Sequence, residues 1–257
     1  MSDQIIQIKG LTVNYKTFGE GEPLLVLHGW GGSSESYLQL KDYLQDSFKL
    51  YIPDLPGFGK SEPPKEVWDV SRYMEFANDF ATEIGLDKFL FFGHSFGGRV
   101  CIKFLNKYPE KVKALILCAS AGIKHELTTK QKAGKAVSKI GKKVFKLPGV
   151  NKLEKVARKI LYKSIGEHDY EKLSSTMKES FKKVIAEDLQ PLIKNIKVPT
   201  LIVWGKQDGM TPLSDAYIFE KEIEGSKLKV IDEARHGVHK QAPEKLGSYI
   251  KEFIKSL

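Results

Sequence analysis

One serine stands between two glycines at the end of an apolar run over residues 88–98, in the order Gly93-His94-Ser95-Phe96-Gly97. The apolar run is typical of a buried strand, and a helical pattern begins directly after the serine. A Gly-x-Ser-x-Gly sequence in this setting predicts a sharp turn that lifts the Ser95 hydroxyl above the strand end. Ser95 must then adopt a strained backbone conformation, and Gly93 and Gly97 keep the crossing chains free of side-chain collisions. The chemistry that such a serine serves is nucleophilic attack.

A serine hydroxyl becomes a good nucleophile only when a base takes its proton and an acid orients that base. Among the six histidines, His236 is the candidate base because it directly follows the last predicted strand, and His239 is the second choice. Asp208 follows the predicted strand over residues 198–205 and is the candidate acid, with Asp232 next in line. The chain order serine, aspartate, histidine differs from that of the chymotrypsin and subtilisin types.

On these residues the chain resembles the serine-nucleophile branch of the α/β-hydrolase superfamily, along nearly its whole length apart from about residues 122–197. In that family a His-Gly-x loop after a buried strand supplies the second oxyanion donor, and this loop matches residues 28–30. The resemblance therefore implies that the backbone N–H groups of Trp30 and Phe96 form the oxyanion hole. A further family segment, Asp-x-x-Gly-x-Gly-x-Ser, matches residues 54–61, which we interpret as a structural loop.

The segment around the candidate base is similar to the family pattern Gly-His-x₄-Glu-x-Pro, with two departures. Arg235 stands for the glycine and Gln241 stands for the glutamate. Neither departure moves the histidine. Some relatives carry the acid after the strand that follows the elbow helix, but residues 119–122 contain no carboxylate here, which leaves Asp208.

The elements that must position these residues alternate between strand and helix. Strands are predicted over residues 4–9, 11–17, 23–28, 48–53, 88–93, 111–119, 198–205 and 226–232, and helices at about 34–46, 70–85, 96–108 and the C-terminal end. This alternation predicts an α/β-hydrolase fold, with a mostly parallel central sheet covered by helices on both faces. The candidate catalytic groups then lie together beyond the C-terminal strand ends, where ligands bind in such sheets.

Residues 122–197 show a helix-only pattern, with predicted helices starting at Thr128, near Leu153 and near Leu173. We therefore predict a core of residues 1–121 and 198–257 and an inserted helical lid over residues 122–197. The net charge of +9 is unevenly distributed, because this insertion carries +11 and the core carries −2. A soluble outer face explains the lysines most simply; the alternative is attraction of anionic lipid or substrate.

The composition restricts the class of protein. A chain of 257 residues with 41% hydrophobic residues suffices for one large α/β domain with an insertion. No run is apolar enough to span a bilayer, the N-terminus lacks a signal-peptide pattern, and no nucleic-acid-binding motif accompanies the charge. We expect Cys101 and Cys118 to be buried thiols in a cytoplasmic protein, with neither a metal nor an organic cofactor.

The predicted function is a serine hydrolase that cleaves small-molecule carboxylic esters through an acyl-enzyme on Ser95, with His236 as base and Asp208 as orienting acid. Two alternatives stay open. A hydrolase of the same fold could cleave the C–C bond of a meta-cleavage-type diketone acid, although Trp30 stands where those enzymes carry a small residue. A ligand receptor that retains the triad has the same sequence pattern. Epoxide hydrolase and haloalkane dehalogenase chemistry is excluded because it needs a carboxylate in place of Ser95.

Overall fold

The computed structural model describes residues 3–124 and 174–257. One compact unit consists of Met1–Ile123 and Ser175–Leu257, and it carries the sheet and every candidate catalytic group. The predicted helices beginning at Thr128 and near Leu153 lie outside the described residues. The division into core and lid at residues 121 and 198 stays a prediction.

Eight strands in the described part of the chain form a single sheet in the order β1-β2-β4-β3-β5-β6-β7-β8. They are β1 (Gln4–Ile8), β2 (Leu11–Phe18), β3 (Glu22–Leu27), β4 (Phe48–Pro53), β5 (Phe89–His94), β6 (Val112–Cys118), β7 (Thr200–Gly205) and β8 (Lys227–Ile231). β1 and β2 form an antiparallel hairpin, and β2 is also antiparallel to β4. The other neighbouring strands are parallel. This sheet confirms the predicted fold class.

The helices of the described residues connect these strands. They are α1 (Leu38–Lys41), α2 (Val70–Glu83), α3 (Phe96–Lys107), α4 (Ser175–Ala186), α5 (Gln190–Ile193), α6 (Leu213–Glu222), α7 (Val238–Gln241) and α8 (Pro243–Lys255), with 3₁₀ turns at Ser34–Tyr37 and Pro109–Lys111. The helix predicted over residues 34–46 is wrong in length. The segment forms a 3₁₀ turn and the four-residue helix α1 instead, because hydrogen-bonded turns follow α1 and lead the chain into β4.

The core lies on both faces of the sheet, which is why the central strands are apolar without alternation. All six residues of β5 are buried. Phe92 packs on one face, in a cluster that includes Leu40 of α1 and Ile250 of α8. Phe91 points to the other face, where its ring lies 5.0 Å from that of Phe104 in α3. The strand that carries the nucleophile is therefore held from both sides.

Buried polar side chains attach α4 and the segment after it to the body of the protein. The Ser180 hydroxyl of α4 accepts a hydrogen bond from the backbone N–H of Trp68 at 2.9 Å. Arg99 of α3 is 6% exposed and donates from Nη1 to the Glu187 carbonyl at 2.8 Å. Cys101 and Cys118 are buried free thiols, as predicted. Within the described ranges, no helix combines the length and the apolar character that crossing a membrane requires.

Candidate active site

The nucleophile elbow lies between β5 and α3. Ser95 has φ 51° and ψ −111°, a combination that L-residues rarely adopt. Its neighbours have no room for a side chain, since a Cβ on Gly97 would lie 2.2 Å from the Leu27 carbonyl oxygen and one on Gly93 would lie 2.8 Å from the Gly97 backbone. The elbow thus places Ser95 at the C-terminal edge of the sheet, between the strand ends of β3 and β6.

The two candidate oxyanion donors flank this serine. Trp30 belongs to the loop after β3, and Phe96 is the first residue of α3. Neither backbone N–H has a hydrogen-bond partner among the described residues. The Trp30 loop passes close to the nucleophile, because a Cβ on Gly29 would lie 3.3 Å from the Ser95 Cβ. Two unpaired N–H groups beside a serine, one of them at a helix N-terminus, suit a developing negative charge.

The candidate acid, Asp208, follows β7, and its carboxylate is fully buried. Oδ1 accepts the backbone N–H groups of Met210 at 2.8 Å and Thr211 at 3.0 Å, and Oδ2 accepts the Thr211 hydroxyl at 2.8 Å. Burial by itself raises the pKa of this carboxyl, but the hydrogen bonds from His236, Met210 and Thr211 outweigh it, so the pKa lies below the ordinary value. Asp208 is therefore ionised at neutral pH and rigidly oriented.

The candidate base, His236, lies on the loop between β8 and α7. Its Nδ1 is 2.8 Å from Asp208 Oδ2, and the side chain is 15% exposed. Because an ionised carboxylate only accepts, Nδ1 carries the hydrogen and Nε2 carries the lone pair. The base thus has the tautomer that takes a proton through Nε2.

Backbone contacts hold the base loop against the acid strand. A Cβ on Gly205, the last residue of β7, would lie 2.3 Å from the Arg235 carbonyl oxygen, and the Gln207 N–H donates to the Ala234 carbonyl at 3.0 Å. Gln241 accepts the Arg235 N–H through Oε1 at 2.7 Å. The amide oxygen of Gln241 is thus a hydrogen-bond acceptor, as a carboxylate at this position would be.

The Thr-Pro pair at residues 211–212 predicts a helix that Thr211 caps, and this prediction is wrong. The helix α6 begins at Leu213, with Pro212 preceding it and no side-chain cap. The Thr211 hydroxyl donates to Asp208 and lies 3.3 Å from His236 Nδ1. Thr211 thus bonds to the acid that precedes it by three residues in the same loop.

The second-choice residues do not lie in the acid–base pair. The His239 ring stacks on Tyr37 with centroids 4.7 Å apart, and its buried Nδ1 has no partner in the described part of the chain. Burial lowers its pKa well below the ordinary value. Asp232 forms an exposed ion pair with Lys206 at 3.0 Å. His28 is buried, with Nε2 accepting the Leu55 N–H at 2.9 Å.

The loop over residues 54–61 has the structural role that its sequence suggested. Asp54 is buried, and its Oδ1 accepts the Ser34 N–H at 2.6 Å. Its Oδ2 accepts from the side chain of Asn14 at 2.9 Å and the N–H of Lys60 at 2.9 Å. Gly59 has φ +55°, and a Cβ there would overlap this carboxylate. Asp54 therefore ties the loop after β4 to the far end of the oxyanion loop.

Aromatic side chains surround the Trp30 indole. Its ring centroid lies 4.8 Å from that of Phe58, 5.2 Å from that of Phe96 and 5.1 Å from that of Phe181 in α4. Tyr73 lies behind Phe96, with centroids 4.9 Å apart. The side of the site next to the oxyanion donors is thus an apolar wall.

Comparison with known proteins places this geometry in a family. The family model for the alpha/beta hydrolase fold matches residues 22–157, which is more than half of the chain. The chain belongs to the α/β-hydrolase fold family.

Individual relatives are distant but cover nearly the whole chain. Monoacylglycerol lipase abhd6-B of Xenopus laevis is 24% identical over 96% of this chain and 83% of that protein. The structure of an esterase from Exiguobacterium antarcticum has a TM-score of 0.76 at 24% identity, covering 99% of this chain and 100% of that one. A meta-cleavage product hydrolase from Pseudomonas fluorescens IP01 also has a TM-score of 0.76, at 21% identity, with 98% and 97% covered.

Proposed function

We propose that the protein is a serine hydrolase that cleaves carboxylic esters of small molecules through an acyl-enzyme on Ser95. The observation that carries the proposal is the hydrogen bond of 2.8 Å between His236 Nδ1 and a fully buried Asp208 carboxylate, at the same sheet edge as a strained serine. The names of the Xenopus lipase and the Exiguobacterium esterase support the same class of substrate.

The reaction follows from the roles of these groups. His236 Nε2 takes the proton of the Ser95 hydroxyl while Oγ attacks the ester carbon. The resulting oxyanion accepts hydrogen bonds from the N–H groups of Trp30 and Phe96. His236 then gives its proton to the leaving alcohol, which leaves the acyl group on Ser95. A water molecule, deprotonated by His236, attacks this ester and releases the acid.

Asp208 stays ionised through the cycle. Its charge stabilises the imidazolium that forms on His236, and its three other hydrogen bonds prevent it from turning away. We keep residues 122–197 as the proposed lid.

The test is ester turnover by wild type and by the variant Ser95→Ala, with p-nitrophenyl acetate and butyrate. We expect Ser95→Ala to lose at least about 10⁴-fold in kcat with an unchanged melting temperature, since Ala keeps the same backbone. Ser248→Ala, which changes an exposed serine of α8, is the matched control and should keep full activity.

Each contrary outcome has a distinct meaning. Activity of more than a few per cent in Ser95→Ala would reject Ser95 as the nucleophile. Binding of esters without turnover by wild type would favour the receptor alternative. Cleavage of a diketone acid but of no ester in the panel would favour C–C bond hydrolysis.

A further inference from the structure

His94 joins the nucleophile strand to the base loop. It is the last residue of β5 and directly precedes Ser95. Its ring is buried, and Nε2 lies 2.9 Å from the backbone carbonyl oxygen of His236. Because a carbonyl only accepts, Nε2 carries the hydrogen and donates it. The side chain next to the nucleophile thus holds the peptide of the base itself.

The other hydrogen bonds of the base loop lead away from the nucleophile. The His236 ring bonds to Asp208, the Ala234 carbonyl accepts from Gln207, and the Arg235 N–H donates to Gln241. These bonds align the base with the acid. In the described part of the chain, the bond from His94 is the one hydrogen bond that ties the His236 peptide to the strand carrying Ser95.

We propose that His94 is a positioning residue that sets the distance between the His236 base and the Ser95 hydroxyl by holding the His236 carbonyl. This role rests on the proposed function, because a distance between base and nucleophile matters only if Ser95 reacts. The ring also contacts the third part of the site, since a Cβ on Gly29 would lie 2.9 Å from His94 Nδ1. One imidazole therefore touches the base loop and the oxyanion loop.

The surroundings of His94 keep its ring neutral. Burial lowers the pKa of His94 to about 3, with His236 as a second cause. His239 lies on the other side, with ring centroids 4.4 Å apart. A neutral ring has one hydrogen, and the His236 carbonyl requires it at Nε2. The hydrogen bond from His94 is thus present at neutral pH.

Loss of this bond should affect the chemical step more than substrate binding. The acid–base pair stays intact without it, but the pair is free to shift relative to Ser95. A displacement of about 1 Å between reacting groups costs about 10²-fold in rate. A side chain that only fills space would not produce this pattern.

The experiment compares His94→Leu, which removes the donor, with His94→Gln, whose amide nitrogen reaches the former place of Nε2. His239→Leu is the matched control, because His239 is an equally buried neighbour that makes no hydrogen bond to the base loop among the described residues. kcat and KM for p-nitrophenyl butyrate are measured with the melting temperature. We expect His94→Leu to lose about 10²-fold in kcat with little change in KM, His94→Gln to recover at least about tenfold of it, and His239→Leu to lose less than about threefold.

Two further readouts separate position from folding. The rate at which a p-nitrophenyl phosphonate labels Ser95 should fall with kcat in His94→Leu, since labelling needs the base but no particular ester. The far-downfield proton resonance of His236 Nδ1–H should persist in the same variant, because the pair with Asp208 remains.

Three results would overturn the role of His94. The first is an equal loss of kcat in His94→Leu and His94→Gln, and the second is an unchanged kcat in His94→Leu. The third is a loss of kcat that follows the loss of melting temperature in all three variants. A wild type that neither hydrolyses esters nor takes the phosphonate at Ser95 would instead overturn the proposed function, and this proposal with it.

Discussion

Two halves of the candidate site are built by different physical means. The elbow half comprises Gly29–Trp30 and Gly93–Gly97, and its geometry is set by backbones that approach Gly93 and Gly97 too closely for a side chain. The acid–base half comprises Asp208–Thr211 and the base loop over residues 232–237, and its geometry is set by hydrogen bonds to a buried carboxylate. Repulsion between atoms acts over tenths of an ångström, whereas a hydrogen bond tolerates adjustment and depends on protonation.

The difference indicates how each half should respond to change. The elbow half should tolerate no added atom at its glycines and should lose folding when one is added. Apart from the close backbone contact at Gly205, the acid–base half should tolerate changes of volume and should lose chemistry when a hydrogen-bonding group is removed. His94 belongs to the elbow half by sequence and to the acid–base half by its contact with His236.

The largest effect is expected from His236→Ala in the acid–base half. This variant should lose about as much kcat as Ser95→Ala, at least about 10⁴-fold, because members of a triad act as a unit. The melting temperature should change little, since the side chain is partly exposed. Ester turnover with p-nitrophenyl butyrate measures the loss.

His239→Ala is the control for this prediction, and it should keep most of the wild-type kcat. The reverse ranking of the two variants would move the base to His239 and would contradict the division of the site into these halves.

In the elbow half, Gly97→Ala should destabilise the fold by about 3 kcal/mol or more, or prevent folding, because its Cβ would lie 2.2 Å from the Leu27 carbonyl oxygen. Gly209→Ala is the counterpart in the acid–base half, where a Cβ meets nothing within 4 Å, and it should change stability by less than about 0.5 kcal/mol. Urea denaturation gives both free energies of unfolding. Similar free energies of unfolding for the two variants would contradict the explanation that close backbones fix the geometry of the elbow.

The smallest effect is the change that the loss of one buried histidine makes in the response of stability to pH. His28, His94 and His239 are buried, and burial lowers the pKa of each below the ordinary value of 6.5, to about 3 for His94. Between pH 6.5 and its lowered pKa, each of these histidines is protonated in the unfolded chain but neutral in the folded protein. The free energy of unfolding should therefore fall as the pH decreases through this window, by about 1.4 kcal/mol per pH unit for each histidine.

Above pH 6.5 the contribution of the three neutral histidines to stability is fully present. The lowered pKa of Asp208 makes stability fall with decreasing pH only below the ordinary carboxyl pKa of 3.8. Denaturation with urea at about pH 6 and about pH 5 measures the slope. His239→Phe keeps an aromatic ring against Tyr37 but cannot bind a proton. The variant should therefore reduce the slope of the free energy of unfolding against pH by the contribution of one histidine. An unchanged slope in this variant would show that His239 is not a source of acid sensitivity.

Local sequence was sufficient wherever one stretch of chain determines the geometry. The elbow could be predicted because a strained serine between close backbones requires glycine at both Gly93 and Gly97. The strands β1 and β2 could be predicted because two alternating runs flank Gly10. The strands were predicted to within a few residues, since apolar runs without alternation occur where a sheet is covered on both faces.

Tertiary structure decided what depends on elements that are distant along the chain. Which histidine pairs with Asp208 follows from the approach of β7 to β8, which Gly205 permits. The hydrogen bond from His94 to His236 joins residues 142 positions apart. No periodicity or motif predicts such a contact, because a hydrogen bond depends on where two atoms lie in space and not on their spacing in the sequence.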